Sequence, residues 1–161
     1  MIIHPIKPLY NQDSEILILG SFPSVKSREQ MFYYMHPQNR FWRVLAGVFK
    51  EETPTSIEEK QKFILSHKLA LWDVLASCEI SGSSDISIKN VTVNDLSEIL
   101  NNSKVKKIFV NGKTAEKYYI KYLEPKYKIK AVCLPSTSPA NATYSLDKLI
   151  SKWNIITKNS N

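Results

Sequence analysis

One stretch of the chain, residues 20–42, concentrates side chains that can stack, form hydrogen bonds and transfer protons. It reads GSFPSVKSREQMFYYMHPQNRFW. Its aromatic rings stand close in sequence to polar groups, which include His36, Gln38, Asn39 and Arg40. A connection between two structural elements rarely carries this mixture. We therefore interpret residues 20–42 as part of a functional site.

The residues before this stretch indicate where it lies in the fold. Residues 16–19 form a short apolar run, which is typical of a strand buried on both faces of a parallel sheet. Gly20 ends the strand, and Pro23 prevents a simple continuation into a helix. Ligands of open α/β folds bind beyond the carboxyl ends of the strands. The loop that begins at Gly20 is therefore expected at a ligand site.

Apolar runs typical of strands alternate along the chain with segments of helical periodicity. The sequence predicts strands at residues 16–19, 70–75, 105–110 and 130–134. It predicts helices at residues 39–49, 56–67, 94–100, 114–123 and 145–156. Asn94 is expected to cap the third helix and Pro125 to end the fourth, with a polar lead-in at residues 1–13 and a Ser/Gly-rich loop at residues 77–84. This alternation predicts an α/β fold, a three-layer open sheet of four mainly parallel strands flanked by helices.

Length and composition favour an ordinary globular protein. The 161 residues predict a single domain, residues 1–161. No apolar run approaches the roughly 20 residues that span a bilayer, and the N-terminus lacks the pattern of a signal peptide. We therefore expect a soluble cytoplasmic protein with no membrane partner. The two cysteines, Cys78 and Cys133, form no CxxC motif, which argues against a disulfide framework or a cysteine-based metal site.

The charge of the chain favours a polyanionic partner. The net charge is +7, and nine lysines stand within residues 104–130. A basic surface of this kind binds nucleic acid through phosphate neutralisation and counterion release. The alternative for any single lysine is that it only solvates a helix or a strand end.

Two motifs resemble those of the uracil-DNA glycosylase superfamily and together span most of the chain. Gly-x-x-Pro at residues 20–23 is shared by the superfamily, and HPQNRFW at residues 36–42 is similar to the element of mismatch-specific and thymine DNA glycosylases. The combination with GSFPS looks most like the hypoxanthine-DNA glycosylase branch. LPSTSPANA at residues 134–142 stands where the superfamily has its DNA-inserting loop. The resemblance implies the strand order 2-1-3-4.

This resemblance implies a monofunctional DNA glycosylase of base excision repair that flips a deaminated base out of double-stranded DNA and hydrolyses its N-glycosidic bond. Hypoxanthine is the first expected substrate, and uracil or a mismatched pyrimidine the second. We expect a monomer that needs no cofactor and no metal. The alternative is a non-catalytic nucleic-acid-binding module on the same fold. A nucleotide- or phosphate-binding domain is a third reading, weakened by the lack of GxGxxG and P-loop motifs.

Two residues are the candidates for catalysis. Phe22 stands where the superfamily usually has its water-positioning Asp or Asn, so another polar group must take that role. Asn39 belongs to the matched HPQNRFW element and is the first candidate to orient the water or to bind the base. The alternative is that it only caps the following helix. Asp73, near the end of the second predicted strand, either reads the base, activates the water or is an N-cap.

The first motif also supplies candidates for substrate binding. Tyr34 is expected to stack on the flipped base, with core packing as the alternative. His36 either polarises the base, binds phosphate or forms a structural hydrogen bond. Hydroxyl and backbone groups of the loop either bind the substrate or hold the loop itself. The candidates for substrate binding are Gly20, Ser21, Phe22, Pro23, Ser24, Tyr34 and His36.

The second motif and the turn after the third predicted strand supply candidates for DNA binding. Hydroxyl and backbone groups of residues 136–138 are expected to contact phosphates, and residues 139–141 to form a small tip with a weak wedge. An ordinary turn is the alternative. Lys113 is expected to reach a phosphate. The candidates for DNA binding are Lys113, Ser136, Thr137, Ser138, Pro139, Ala140 and Asn141.

Overall fold

The computed structural model describes residues 1–80 and 87–158. The strands in this part of the chain are β1 (Ile2–Ile3), β2 (Ile16–Gly20), β3 (Leu69–Asp73), β4 (Leu75–Glu79), β5 (Lys89–Val93), β6 (Lys107–Asn111) and β7 (Ala131–Leu134). The helices are α1 (Val25–Gln30), α2 (Phe41–Phe49), α3 (Ile57–Ser66), α4 (Ser97–Asn101), α5 (Lys113–Tyr118), α6 (Glu124–Tyr127), α7 (Leu146–Trp153) and α8 (Ile155–Lys158). A π-helical segment, Tyr119–Leu123, joins α5 to α6.

The main sheet is parallel and has the order β3-β2-β6-β7. In register, Ile18 of β2 lies opposite Leu71 of β3 and Phe109 of β6. All five residues of β2 are buried, as expected of a central strand with helices on both faces. The predicted α/β class and the predicted order 2-1-3-4 are both confirmed.

Alternate residues of β2 face two separate core layers. Ile16 and Ile18 pack in the layer that α2, α3 and α7 cover, where Phe41 and Trp153 are among the largest buried residues. Leu17 and Leu19 pack in the opposite layer with residues of β4, α4 and α5. The parallel arrangement brings the carboxyl ends of β2, β3 and β6 to one edge of the sheet, where the candidate site lies.

A second sheet, antiparallel and of order β1-β4-β5, was not predicted. The predicted strand at residues 70–75 is in fact two strands, since the chain leaves the main sheet after Asp73 and enters β4 at Leu75. The predicted loop at residues 77–84 is wrong for residues 77–79, which belong to β4. Residues 81–84 lie outside the described part of the chain. Because β1 pairs with β4, part of the predicted polar lead-in at residues 1–13 belongs to a sheet.

Three local predictions about helices are wrong. The Asn94 side chain does not cap a helix but donates to the backbone oxygens of Asp73 and Leu75, and α4 begins only at Ser97. Pro125 does not end a helix but lies in the first turn of α6, where the missing N–H is tolerated. The loop after Pro23 contains α1, which Ser24 caps. Every helix within residues 1–80 and 87–158 is too short or too polar to span a bilayer.

Candidate active site

A cleft of about 390 Å³ opens at the carboxyl edge of β2, β3 and β6, a size typical of ligand sites. It brings together most of the predicted residues: Gly20, Ser21, Phe22, Pro23, Ser24, Tyr34, His36, Asn39, Asp73, Ser136, Thr137, Ser138, Pro139 and Ala140. Lys113 and Asn141 are not in the lining. Lys113 is exposed at the start of α5, and the Asn141 side chain donates to the Ser136 backbone oxygen at 3.0 Å.

The side-chain amide of Asn39 has a defined orientation. Its Oδ1 accepts the backbone N–H of Phe41 at 2.9 Å and the hydroxyl of Thr137 at 2.8 Å. A backbone N–H is always a donor, so the atom facing Phe41 must be the amide oxygen. Both lone pairs of this oxygen are therefore used. The NH₂ group of Asn39 makes no hydrogen bond within residues 1–80 and 87–158, and it remains available as a donor in the cleft.

Thr137 links Asn39 to the end of β6. Asn111 donates from Nδ2 to the Thr137 hydroxyl at 3.0 Å, and its Oδ1 accepts the Thr137 backbone N–H at 3.1 Å. The proton of the Thr137 hydroxyl is then directed to Asn39. Thr137 is fully buried. The expectation that its hydroxyl contacts a DNA phosphate is therefore replaced by a role in holding Asn39.

The carboxylate of Asp73 lies at the end of β3 and is almost fully buried. Its Oδ2 lies 2.8 Å from Nε2 of His4, and 5% of its side chain is exposed. A Cβ added to Gly20 would lie 2.5 Å from Asp73 Oδ1 and 2.9 Å from the Tyr34 hydroxyl. Gly20 therefore leaves room for these two side chains. Asp73 is not an N-cap, because β4 and not a helix follows it.

The ring of Tyr34 lies between the core and the cleft. One face stacks on Phe41, with ring centroids 3.8 Å apart and an interplanar angle of 16°. Burial, with an added effect of the Asp73 carboxylate, raises the pKa of the Tyr34 hydroxyl well above its usual value, and the amide of Asn111 offsets part of this. The hydroxyl makes no hydrogen bond of normal geometry among the described residues. Tyr34 thus packs in the core and also lines the cleft, and its stacking on a flipped base stays a prediction.

Other residues of the first motif hold the shape of its loop. Phe22 packs edge-to-face against His4, with ring centroids 5.8 Å apart. The Ser24 hydroxyl accepts the backbone N–H of Ser27 and caps α1. His36 accepts the backbone N–H of Gln38 at Nδ1, which places the ring proton of neutral His36 on Nε2. Local hydrogen bonds of the loop therefore account for part of its polar composition.

The second motif is held to α2 by Arg40. Its guanidinium donates to the backbone oxygens of Tyr144, Ser138 and Asn141, the last two at 3.1 and 3.0 Å. The backbone N–H of Arg40 also donates to Thr137. The first motif therefore supplies the group that shapes the second motif.

Sequence reasoning assigned no role to three residues that shape the site, namely His4, Arg40 and Asn111. Asn111 carried a signal, since it is a polar residue directly after the third predicted strand. Arg40 carried one within HPQNRFW, although its carbonyl partners lie about a hundred residues away in the sequence. His4 carried none, because nothing local connects it to Asp73. Within the described residues no group of three or more His, Cys, Asp or Glu side chains could hold a metal ion.

Comparison with known proteins identifies the family of the chain. Residues 7–157 match the model of the Uracil DNA glycosylase superfamily. A protein named Hypoxanthine DNA glycosylase from Methanosarcina acetivorans is 33% identical over 158 residues, covering 97% of this chain and 98% of that protein. A protein of the same name from Methanosarcina barkeri is 32% identical over 113 residues, covering 69% of this chain and 72% of that protein.

A solved structure is also similar. The solution NMR structure of a candidate uracil DNA glycosylase from Methanosarcina acetivorans has a TM-score of 0.83 and 31% identity, and the match covers 99% of each chain. The fold, both motifs and the length of the match point to the same conclusion. The chain therefore belongs to the uracil-DNA glycosylase superfamily and is a DNA glycosylase.

Proposed function

We propose that this DNA glycosylase excises deaminated bases from double-stranded DNA, hypoxanthine first and uracil or a mismatched pyrimidine second. The names of its two Methanosarcina relatives support hypoxanthine. The match over residues 7–157 supports a single glycosylase domain. We further propose that the chain acts as a monomer. A cytoplasmic location stays a prediction.

The observation that carries the substrate proposal is the pairing of a donor with an acceptor in the cleft. The Asn39 oxygen is occupied, so Asn39 offers its NH₂ group. A carboxylate such as that of Asp73 can only accept. Deamination replaces an amino group by a carbonyl oxygen and adds an N–H beside it. A donor and an acceptor match this lactam edge in hypoxanthine and uracil, whereas adenine and cytosine present the opposite pattern.

The same groups support hydrolysis of the N-glycosidic bond. The base must first leave the stack, and the Tyr34 ring offers a surface for it. As the bond breaks, negative charge develops on the leaving base, and the Asn39 N–H can stabilise the charge on a carbonyl oxygen. Phe22 cannot hold the attacking water. If Asp73 does not read the base, its carboxylate is the candidate to activate this water. No lysine of the described residues lines the cleft, which supports a monofunctional reaction without a Schiff base.

Single-turnover release of base from duplexes that hold inosine, uracil, xanthine or only normal bases tests the proposal. We expect the highest rate constant with inosine and none with normal bases. A chain that releases none of these bases would contradict the proposal.

Substitution of Asn39 separates catalysis from capping. Asn39→Ala removes both the oxygen that accepts from Phe41 and Thr137 and the NH₂ donor, and it should lower the rate constant by about 10²-fold or more. Asn39→Asp keeps an oxygen for Phe41 and Thr137 but loses the donor, so it should lower the rate by a similar factor while the melting temperature is retained. A wild-type rate in Asn39→Asp would show that the amide N–H is not used.

Substitution of Asp73 distinguishes its two candidate roles. If the carboxylate reads the base, Asp73→Asn should change the ranking of inosine against uracil, because the new amide can donate as well as accept. If the carboxylate activates water, all substrates should lose rate by the same factor. Rate constants measured on the two duplexes under single-turnover conditions distinguish these outcomes.

A further inference from the structure

His4 lies against the active-site carboxylate, although it stands 69 residues before Asp73 in the sequence and in neither motif. It follows β1, and its backbone N–H donates to Ala76 of the neighbouring strand at 2.7 Å. Its Nε2 lies 2.8 Å from Asp73 Oδ2, and only 2% of its side chain is exposed. The second sheet therefore delivers a buried imidazole to one oxygen of Asp73.

The tautomer of neutral His4 follows from its other contact. The backbone N–H of Ile6 donates to Nδ1 of His4 at 3.2 Å, so Nδ1 must offer its lone pair. The ring proton of the neutral imidazole is then on Nε2, and it is donated to Asp73 Oδ2. The second oxygen, Oδ1, is left on the side of Gly20 and the Tyr34 hydroxyl.

The orientation of the His4 ring is held by aromatic neighbours. Phe22 and Trp72 lie with their ring centroids 5.8 and 6.3 Å from it, at interplanar angles of 86° and 79°. Trp72 also donates from Nε1 to the backbone oxygen of Ile6 at 3.1 Å. The imidazole thus has a packed face, a fixed acceptor contact and one donor, which is directed at Asp73.

We propose that His4 is a positioning residue of the glycosylase reaction and acts through Asp73. Its Nε2–H holds Oδ2, so that Oδ1 keeps its place at the cleft and the carboxylate remains a hydrogen-bond acceptor. The N-terminal segment is then part of the active-site machinery. This inference rests on the role of Asp73 in the proposed function.

A double-mutant cycle tests whether His4 acts through Asp73. His4→Leu should lower the single-turnover rate constant on an inosine duplex by about 10- to 100-fold. Losses of this size are typical when a functional side chain loses the hydrogen-bond partner that orients it, as is known from metalloenzymes. In an Asp73→Ala background the same substitution should change the rate by less than about twofold, because the carboxylate it orients is gone. An equally large loss in both backgrounds would overturn the proposal, as would a wild-type rate in His4→Leu.

A conservative variant and a matched control exclude a merely structural effect. His4→Gln can place an N–H donor near the same oxygen, and it should recover at least about tenfold of the rate lost in His4→Leu. Tyr10→Phe removes the hydrogen bond from the Tyr10 hydroxyl to Glu98, which ties the N-terminal segment to α4 outside the cleft, and it should stay within about twofold of the wild-type rate. If Tyr10→Phe loses as much rate as His4→Leu, anchoring of the segment explains the effect and the proposal fails.

A spectroscopic measurement tests the contact between His4 and Asp73 independently of activity. The chain has three histidines, so the ring of His4 can be assigned in ¹H–¹⁵N spectra by its loss in His4→Gln. The proposal requires a single neutral tautomer with the proton on Nε2. A proton on Nδ1, or exchange between the two tautomers, would overturn it. If the wild-type chain releases no base, the proposed function fails, and this measurement still tests the contact of His4 with Asp73.

Discussion

At the scale of single residues, the site depends on side chains whose hydrogen bonds are already partly used. The Asn39 oxygen accepts from Phe41 and Thr137, and Asp73 Oδ2 contacts His4. These bonds orient each group, because an amide or carboxylate with one end occupied presents only its other end to a ligand. The N-cap residue of α2 is Arg40 and not Asn39, although the Asn39 oxygen accepts the N–H of Phe41, the first residue of the helix. The catalytic role of Asn39 stays a prediction.

Tyr34 allows a test of ring stacking against the hydroxyl. Tyr34→Phe should leave excision nearly unchanged, because the hydroxyl is buried without a hydrogen bond of normal geometry. Tyr34→Ala should slow excision, and loss of its stack on Phe41 should also cost about 0.5–1.5 kcal/mol of stability beyond the buried area. Single-turnover rates and urea unfolding measure the two effects. Equal losses of rate in both variants would point to the hydroxyl and against stacking.

Gly20 allows a test of close approach in the cleft. Gly20→Ala would place a methyl group 2.5 Å from Asp73 Oδ1, so the carboxylate must move. We expect the rate of excision to fall about tenfold or more, since small displacements of positioned groups are costly. Gly47→Ala is the matched control, because it crowds the side chain of Ile150 outside the cleft. A wild-type rate in Gly20→Ala would show that the position of Asp73 does not limit the reaction.

At the scale of elements, Arg40 joins the start of α2 to the second motif. Its guanidinium donates to three backbone oxygens of the segment that includes Ser138 and Asn141. Arg40→Lys should weaken DNA binding and slow excision, because an ammonium group cannot reproduce the planar fork. Arg43→Lys, on the exposed face of α2, is the control. Fluorescence anisotropy and single-turnover rate constants compare the two variants. If Arg40→Lys and Arg43→Lys were indistinguishable, Arg40 would not be needed to hold the second motif.

The capping box of α3 predicts a local dependence of stability on pH. Hydrogen bonds from the backbone of Ser56 and from Thr55 lower the pKa of Glu59 from 4.5 to about 2. Because the folded-state pKa is depressed, the stabilisation is present above pH 4.5 and is lost as the pH falls towards 2. In urea unfolding from pH 7 to 3, Glu59→Gln should therefore be less stable than wild type at pH 7, with a difference that shrinks on acidification. Glu58→Gln is the control, and a constant difference would contradict the assignment.

At the scale of the whole molecule, the net charge of +7 predicts that DNA affinity depends strongly on salt concentration. Affinity should fall steeply with salt on any sequence, with a linear relation between the logarithms of the binding constant and the salt concentration. Lys113→Gln should lower affinity uniformly and reduce this slope by about one if the lysine contacts a phosphate. Titrations by fluorescence anisotropy at several salt concentrations measure the affinity and the slope for the wild type and for Lys113→Gln. A flat dependence on salt would contradict phosphate-dominated binding.

The sequence by itself determined the features that depend on local pattern. The apolar run at residues 16–19 predicted the central strand, and the alternation of strands and helices predicted the parallel sheet. Two motifs identified the family and most residues of the cleft. These predictions succeeded because periodicity, turn chemistry and motif spacing are properties of neighbouring residues.

Only the tertiary structure decided which distant groups meet. The chain leaves the main sheet after Asp73 and forms β4, because Leu75 and Cys78 bury against a second core layer that no local pattern reveals. This second sheet brings His4 to Asp73. Likewise Thr137 is buried and holds Asn39, although its sequence context indicated a solvent-facing loop. The orientation of the catalytic candidates is set by contacts between residues 69 and 98 positions apart, and such contacts exist only once the layers have packed.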